Sequence, residues 1–162
     1  MVEEFVIEKT QSIQKQYEDL STIIKGLLNK NDNILSNLSN FTAALKQTFD
    51  KINWVGFYMF DGEKMYLGPF QGKVACTQIK LGKGVCGTSA LSRKTIIAAD
   101  VNKFPGHIVC DSDSKSEIVI PLIKNDKLMG VLDIDSASLN AFDETDKKYL
   151  EYICNFLIEE IF

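Results

Sequence analysis

The sequence predicts an α+β fold, in which a central, mostly antiparallel β-sheet is flanked by helices and the N- and C-terminal helices pack together. Two observations predict it. Apolar residues recur with helical spacing at both ends of the chain, whereas short apolar runs bounded by turn residues fill the middle. We therefore expect one domain over residues 1–162, with helices in 1–50, the sheet and the site loops in 53–136, and a last helix in 142–162.

Two amphipathic helices are predicted within the first fifty residues, separated by a polar break at 29–33. Asn31 or Asp32 is the candidate N-cap of the second helix. The apolar residues with helical spacing are Leu20, Ile23, Ile24, Leu27 and Leu28 in the first helix, and Ile34, Leu38, Phe41, Leu45 and Phe49 in the second.

The middle of the chain predicts short strands joined by turns. Residues 54–60 (WVGFYMF) form a buried aromatic strand, and 65–70 (MYLGPF) return after the turn DGEK as its antiparallel partner. A third strand is expected over 75–81 (ACTQIKL). The Gly-rich segment GKGVCG, a short helix near 88–92 and a brief strand over 96–98 follow it.

The last third predicts a long loop, a hairpin and a helix. The loop between Asp100 and Ser116 is longer than most connections, and such loops are often functional. Residues 116–136 contain two apolar runs around the turn Asn125-Asp126, which predicts a hairpin. The final helix follows its candidate cap Asp143. Its apolar stripe consists of Leu150, Ile153, Cys154, Leu157 and Ile161.

Composition excludes several classes of protein. The apolar fraction of 45% and the charged fraction of 25% are ordinary for a globular protein. The net charge is −4 and no basic stripe is present, so we expect no nucleic-acid surface. The N-terminal residues lack the apolar stretch of a secretory signal, and no run is long enough for a membrane helix. We expect a cytoplasmic protein.

The four cysteines form no C-x-x-C pair, so their spacing does not suggest zinc, and each is either inert or redox-active. Cys154 lies on the core-facing stripe of the last helix, and we interpret it as structural. Cys76 begins the third strand and is expected to be partly exposed, which leaves both alternatives open. Cys86 falls at a helix N-terminus, where the dipole favours a thiolate, although a tight packing turn explains the same glycines.

Cys110 is the best candidate nucleophile, because it lies among turn-forming residues in the segment FPGHIVCDSDSKSE, where a thiol is accessible. The segment also holds the only histidine of the chain. A protonated His107 would lower the pKa of the thiol, whereas Asp111 and Asp113 would raise it. A structural histidine that holds the loop is an equally good interpretation of His107.

Three carboxylates mark the two strands of the predicted hairpin. Asp133 and Asp135 are two residues apart and therefore share one face of their strand, and Glu117 falls opposite them. One interpretation is a solvated face. The alternative is a cluster at the mouth of the sheet near Cys110, which suits an ammonium group and can keep one member protonated as a general acid.

Six segments of the chain together resemble those of the free methionine-(R)-sulfoxide reductases, which are single-domain GAF proteins. The resemblance runs from about Asn53 to the final helix and is specific, because ordinary GAF sensor domains lack three cysteines at this spacing. The segments are NWVGFY, LGPFQGKVAC, GKGVCG, DVNKFPGHIVCD, SEIVIPL and GVLDIDS.

The resemblance implies a GAF fold, a homodimer, and a cytosolic enzyme that reduces the R epimer of free methionine sulfoxide but not the residue within proteins. It implies that Cys110 attacks the substrate sulfur, that Cys76 is the usual resolving partner, and that Cys86 can also form a disulfide with Cys110. The family's substrate-binding residues correspond to Trp54, Tyr58, Glu117, Asp133 and Asp135.

The expected cycle begins when the Cys110 thiolate attacks the sulfoxide sulfur while Glu117 or Asp135 protonates the oxygen. Cys110 becomes a sulfenic acid, and Cys76 or Cys86 condenses with it to a disulfide. Thioredoxin, ultimately supplied by NADPH, then restores the thiols. No metal or organic cofactor is expected. Trp54 and Tyr58 either form an apolar wall for the substrate's methyl group or simply pack in the core.

Two other functions compete with the reductase. A non-catalytic GAF module would bind and sense a small ligand, and a cysteine-based redox sensor would use the same thiols without a substrate pocket. Only the reductase is expected to consume NADPH continuously when thioredoxin, its reductase and free methionine sulfoxide are supplied.

Overall fold

The computed structural model describes residues 5–106 and 112–162. Within them, four α-helices flank one six-stranded sheet with the strand order β3-β2-β1-β6-β5-β4, in which every neighbouring pair is antiparallel. This arrangement confirms the predicted α+β class. The elements are α1 (Ile13–Leu27), α2 (Ile34–Thr48), β1 (Trp54–Phe60), β2 (Lys64–Gln71), β3 (Gln78–Lys80), α3 (Gly84–Ser92), β4 (Ile96–Ala98), a 3₁₀ turn (Val101–Lys103), β5 (Ser116–Lys124), β6 (Lys127–Ser136) and α4 (Glu144–Ile161).

Both N-terminal helices lie where their apolar spacing predicts them, but the expected cap of α2 is wrong. The cap is Asn33, whose Oδ1 accepts a hydrogen bond from the backbone N–H of Leu35 at 2.8 Å. A capping side chain must reach the first free N–H groups of the helix. Asn31 and Asp32 lie too early in the chain to do so.

Helices α1 and α4 pack together, as the sequence predicts. The Tyr17 hydroxyl donates a hydrogen bond to Oδ1 of Asp146 at 2.7 Å, and its ring stacks on Tyr149 with centroids 5.1 Å apart. Asp146 also completes a capping box with the predicted cap Asp143 and pairs with Lys51 at 2.6 Å. A buried carboxylate with these partners ties both ends of the chain to the same core.

The β5–β6 hairpin has the predicted turn, and the turn sets the register of the site. Asn125 and Asp126 both have positive φ angles, 49° and 61°, as a two-residue type I′ turn requires. From this turn the pairing places Glu117 opposite Asp135. The predicted juxtaposition of the carboxylates is therefore confirmed.

Both faces of the sheet are buried. Helices α1, α2 and α4 cover one face, whose core includes Leu132 and Ile134 of β6. The second face carries Trp54, Tyr58 and Val119 in a smaller cluster with residues of α3. Since β6 is covered on both sides, its acidic residues cannot all lie in solvent.

The segment that contains β3 and the start of α3 differs from the prediction. The third strand begins only at Gln78, and α3 begins at Gly84 rather than near Thr88. Gly84 has a φ of 61°, and a Cβ on Gly87 would lie 2.3 Å from the Lys80 carbonyl oxygen. Gly84 thus allows α3 to begin early, and Gly87 allows the helix to pack closely against the backbone of Lys80. Both support the interpretation of these glycines as a tight packing turn. None of the described helices is long and apolar enough to cross a membrane.

Candidate active site

Two carboxyl groups are buried on the second face of the sheet. Glu117 on β5 and Asp133 on β6 are each only 6% exposed. Their alternation with Ile118, Leu132 and Ile134, which face the larger core, turns them toward α3. The interpretation of a solvated face is therefore wrong for both residues.

Burial changes the protonation of this pair. The pKa of the Glu117 carboxyl lies well above its usual range because the group is desolvated and because Asp133 and Asp135 are close. Burial also raises the pKa of Asp133, to about 6, against hydrogen bonds from Cys86 and Glu117 that lower it. At neutral pH this pair can hold a proton on one carboxyl and a charge on the other.

One oxygen of the cluster lacks a partner. Oδ1 of Asp133 is buried and accepts no hydrogen bond from any of the described residues. A buried acceptor without a partner costs about 1–3 kcal/mol, so such an atom in a native fold usually has a ligand or a functional reason. Asp135 lies two residues further along β6 and is half-buried, opposite Glu117 in the pairing.

Cys86 lies directly over the carboxyl cluster. Helix α3 places its thiol so that Sγ donates a hydrogen bond to Oε1 of Glu117 at 3.6 Å, and the side chain is 4% exposed. Burial, with Asp133 and Glu117 nearby, raises the pKa of this thiol well above its usual value. The expectation that the helix N-terminus favours a Cys86 thiolate is therefore wrong, because desolvation and two acids outweigh the helix dipole.

Trp54 and Tyr58 form an aromatic layer beside the cluster. The Trp54 indole donates from Nε1 to the Lys73 carbonyl oxygen at 3.0 Å, and its ring lies 6.1 Å from that of Tyr58. The Tyr58 hydroxyl donates to the Cys76 carbonyl oxygen at 3.0 Å. Both residues belong to the packed core, and both also tie β1 to the segment that carries Cys76.

The described cysteines fall into two kinds. Cys76 is half-buried, as expected, and is disulfide-bonded, whereas Cys86 and Cys154 are free and buried. Cys154 packs in the larger core, in agreement with its structural interpretation. Cys110 and His107 lie outside the described residues.

Sequence reasoning missed several residues that position this site. Lys73 forms an ion pair with Asp113, and the pair joins the segment before Cys76 to the segment after Cys110. Gly56 and Gly72 both leave room for the Trp54 ring, since a Cβ on either would lie 2.4 Å from it. The signal for Gly56 was an isolated glycine inside an apolar strand, which marks a close approach.

The architecture and the site define a class of protein. An antiparallel sheet carries three helices on one face, and on the other face a short helix covers a small polar cluster. The family model for the GAF domain matches residues 38–157. The chain therefore belongs to the GAF domain family. It is 47% identical over 148 residues to the free methionine-R-sulfoxide reductase of Saccharomyces cerevisiae, covering 86% of this chain and 82% of that one. Within the GAF proteins, the chain belongs to the free methionine-R-sulfoxide reductase family.

Two further comparisons agree with this family. GAF domain-containing protein A of Dictyostelium discoideum is 53% identical over 158 residues, covering 97% of this chain and 99% of that protein. The crystal structure of free methionine-R-sulfoxide reductase from Neisseria meningitidis, in complex with its substrate, superposes with a TM-score of 0.88 at 39% identity. The superposition covers 93% of this chain and 90% of that one.

Proposed function

We propose that this protein is an enzyme that reduces the R epimer of free methionine sulfoxide to methionine. The buried carboxyl cluster carries the proposal, because it offers a proton donor and an acceptor that no described residue pairs with, beside a segment with a disulfide-bonded cysteine. Reduction of a sulfoxide needs a thiol and a proton, and recognition of a free amino acid needs an acceptor for its ammonium group. Membership of the reductase family supports the same conclusion.

The nucleophile in this proposal is Cys110. Its thiolate attacks the sulfoxide sulfur, and the sulfoxide oxygen accepts a proton. The S–O bond of the substrate then breaks, the hydroxyl passes to the Cys110 sulfur, and methionine leaves with the electron pair. Cys110 is thereby oxidised to a sulfenic acid.

Glu117 is the proposed proton donor. Burial and the neighbouring Asp133 and Asp135 raise its pKa well above the usual range, which favours the protonated form that a general acid needs. The other candidate that the sequence offers, Asp135, is half-buried and lies opposite Glu117. We therefore give Glu117 the donor role and Asp135 a supporting place beside the substrate.

Asp133 is the proposed acceptor for the substrate ammonium. Its buried Oδ1 has no hydrogen-bond partner among the described residues, and its pKa of about 6 leaves it mostly ionised at neutral pH. The aromatic layer of Trp54 and Tyr58 lies on the same face and would contact the methyl and methylene groups. A charged acceptor and an apolar wall together fit a small zwitterion whose side chain ends in a methyl sulfoxide.

Cys76 is the proposed resolving cysteine. Its thiol loses its proton and attacks the Cys110 sulfenic acid, the hydroxyl takes up that proton and leaves as water, and a Cys76–Cys110 disulfide forms. The observation that Cys76 is disulfide-bonded while Cys86 is free supports this choice over Cys86. A dithiol protein, thioredoxin, then reduces the disulfide and is itself oxidised. This cycle uses no metal or organic cofactor, and we expect it in a cytoplasmic homodimer.

The test is an assay in which NADPH, thioredoxin reductase and thioredoxin are coupled to each epimer of free methionine sulfoxide. We expect NADPH consumption and equimolar methionine with the R epimer only. Cys110→Ser should abolish both, even with a chemical dithiol, whereas Cys154→Ser should leave both intact. An absence of turnover on either epimer would favour the sensor functions instead.

A further inference from the structure

Three potential metal ligands converge in the buried cluster. Cys86 Sγ and one carboxylate oxygen each from Glu117 and Asp133 all lie within 4.8 Å of one another. Zinc bonds of about 2.3 Å to sulfur and about 2.1 Å to oxygen at a tetrahedral angle place those two ligand atoms about 3.6 Å apart. The Cys86 Sγ–Glu117 Oε1 distance is 3.6 Å. These two atoms already have the spacing of two ligands of a tetrahedral ion, and the Asp133 oxygen lies within 4.8 Å of both.

A second observation points independently to a cationic occupant. Asp133 is 94% buried, and its Oδ1 has no hydrogen-bond partner among the described residues. Among the described residues, no lysine or arginine forms an ion pair with either Glu117 or Asp133. A buried carboxylate without a cation is costly, and a bound cation removes that cost.

We propose that Cys86, Glu117 and Asp133 form a binding site for a thiophilic divalent ion, of which Zn²⁺ is the best match. Three protein ligands leave the fourth tetrahedral position to water. A sulfur ligand and a coordination number of four disfavour Mg²⁺ and Ca²⁺, which prefer six or more oxygens. On binding, the Cys86 thiol and the protonated carboxyl of the pair give their protons to solvent, and one S–Zn and two O–Zn bonds form.

The ion would occupy the position that the proposed function assigns to the substrate ammonium. Asp133 cannot serve both a Zn²⁺ ion and an ammonium group, so the two ligands exclude each other. The metal form is then an inhibited state of the reductase. This consequence, unlike the binding itself, rests on the proposed function.

The binding test uses the full chain with Cys76→Ser and Cys110→Ser, so that Cys86 and Cys154 are the only thiols left. Zn²⁺ is titrated by calorimetry, and Co²⁺ serves as the spectroscopic probe because a bound thiolate gives a sulfur-to-cobalt charge-transfer band. We expect one ion per chain and a band of single-thiolate intensity.

Three variants in this background locate the ion. Cys86→Ser should remove the band and weaken Zn²⁺ binding at least about tenfold, since even the loss of an outer partner costs about 10–100-fold. Asp133→Asn, which changes neither size nor shape, should weaken binding similarly but keep the band. Cys154→Ser is the matched control and should change neither.

The outcomes separate this proposal from the proposed function. Binding that survives both Cys86→Ser and Asp133→Asn, or no binding at millimolar Zn²⁺, overturns the site. Binding at the site without competition from free methionine-(R)-sulfoxide supports the metal site and counts against the ammonium role of Asp133. Mutual exclusion of Zn²⁺ and the R epimer supports both.

Discussion

The Sγ atom of Cys86 lies 3.6 Å from Oε1 of Glu117, and each of these side chains is more than nine-tenths buried. A thiol in this position donates a hydrogen bond to a carboxyl and stays protonated, so it is a poor nucleophile. Two of the cysteines that the family pattern groups together, Cys76 and Cys86, thus differ in their bonding and in their surroundings. Cys86 belongs to the acid cluster, and Cys76 to the disulfide.

The first prediction concerns the resolving cysteine. Cys76→Ser should release about one methionine per site and then stall with thioredoxin, since the free thiols of Cys86 and Cys154 are both buried. Cys86→Ser should keep multiple turnover with thioredoxin. The measurement is methionine released in single- and multiple-turnover assays, with Cys154→Ser as the control. Wild-type rates for Cys76→Ser would assign the resolving role to Cys86.

The second prediction concerns recognition of the free amine. N-acetylation of methionine sulfoxide removes the charge that Asp133 is proposed to bind and leaves its buried oxygen unpaired. Loss of one partner of a buried charge pair costs about 2–5 kcal/mol, which corresponds to roughly 30- to 5,000-fold in kcat/KM. We expect that decrease when the free and acetylated R epimers are compared. Similar values would show that the ammonium is not recognised.

The third prediction is that the buried acid cluster lowers stability at neutral pH. Folding raises the pKa of Asp133 from 3.8 to about 6, so the folded state favours the protonated form. Stability is therefore highest below pH 4 as far as this group is concerned, and falls as pH rises to 6. Asp133→Asn cannot ionise and should be more stable than wild type at pH 8, by at most about 3 kcal/mol.

Urea unfolding at pH 8 and pH 4 checks this third prediction. The gain from Asp133→Asn should be much smaller at pH 4, where the wild-type carboxyl is protonated in the folded state and only partly ionised in the unfolded state. Asp32→Asn removes the same charge from an exposed position and should change little at either pH. An equal gain at both pH values would contradict the ionisation argument.

The fourth prediction concerns the aromatic layer. A Cβ on Gly56 would lie 2.4 Å from the Trp54 ring and 2.5 Å from Phe70 Cβ, so Gly56→Ala must displace the indole. We expect a loss of about 1–3 kcal/mol, as for other overpacked cores, and a changed emission spectrum of Trp54, the only tryptophan. Activity should fall if the indole contacts substrate.

Gly26→Ala is the matched control for this change. A Cβ at Gly26 meets nothing within 4 Å on helix α1, so the substitution should leave the Trp54 spectrum and the activity unchanged. Replacing a helical glycine should even add about 0.5–1 kcal/mol. An unaltered spectrum in Gly56→Ala would show that the indole is not confined as described.

The sequence predicts which residues form the site better than it predicts how deeply they are buried and what they contact. The juxtaposition of Glu117 and Asp135 followed from the turn Asn125-Asp126 and from period-two alternation, which are both local properties of one hairpin. The cap of α2 was misplaced by one or two residues, because several consecutive polar residues compete and only the backbone geometry selects Asn33.

The sequence by itself determined the order and type of the elements, the register of the hairpin and the presence of three acids and three grouped cysteines, since periodicity and turn chemistry act over a few residues. Only the tertiary structure decided that Cys86 is a buried partner of Glu117, because these residues are 31 positions apart and meet only when α3 covers the sheet. Burial, which sets the pKa of each group, is a property of that packing and not of any local pattern.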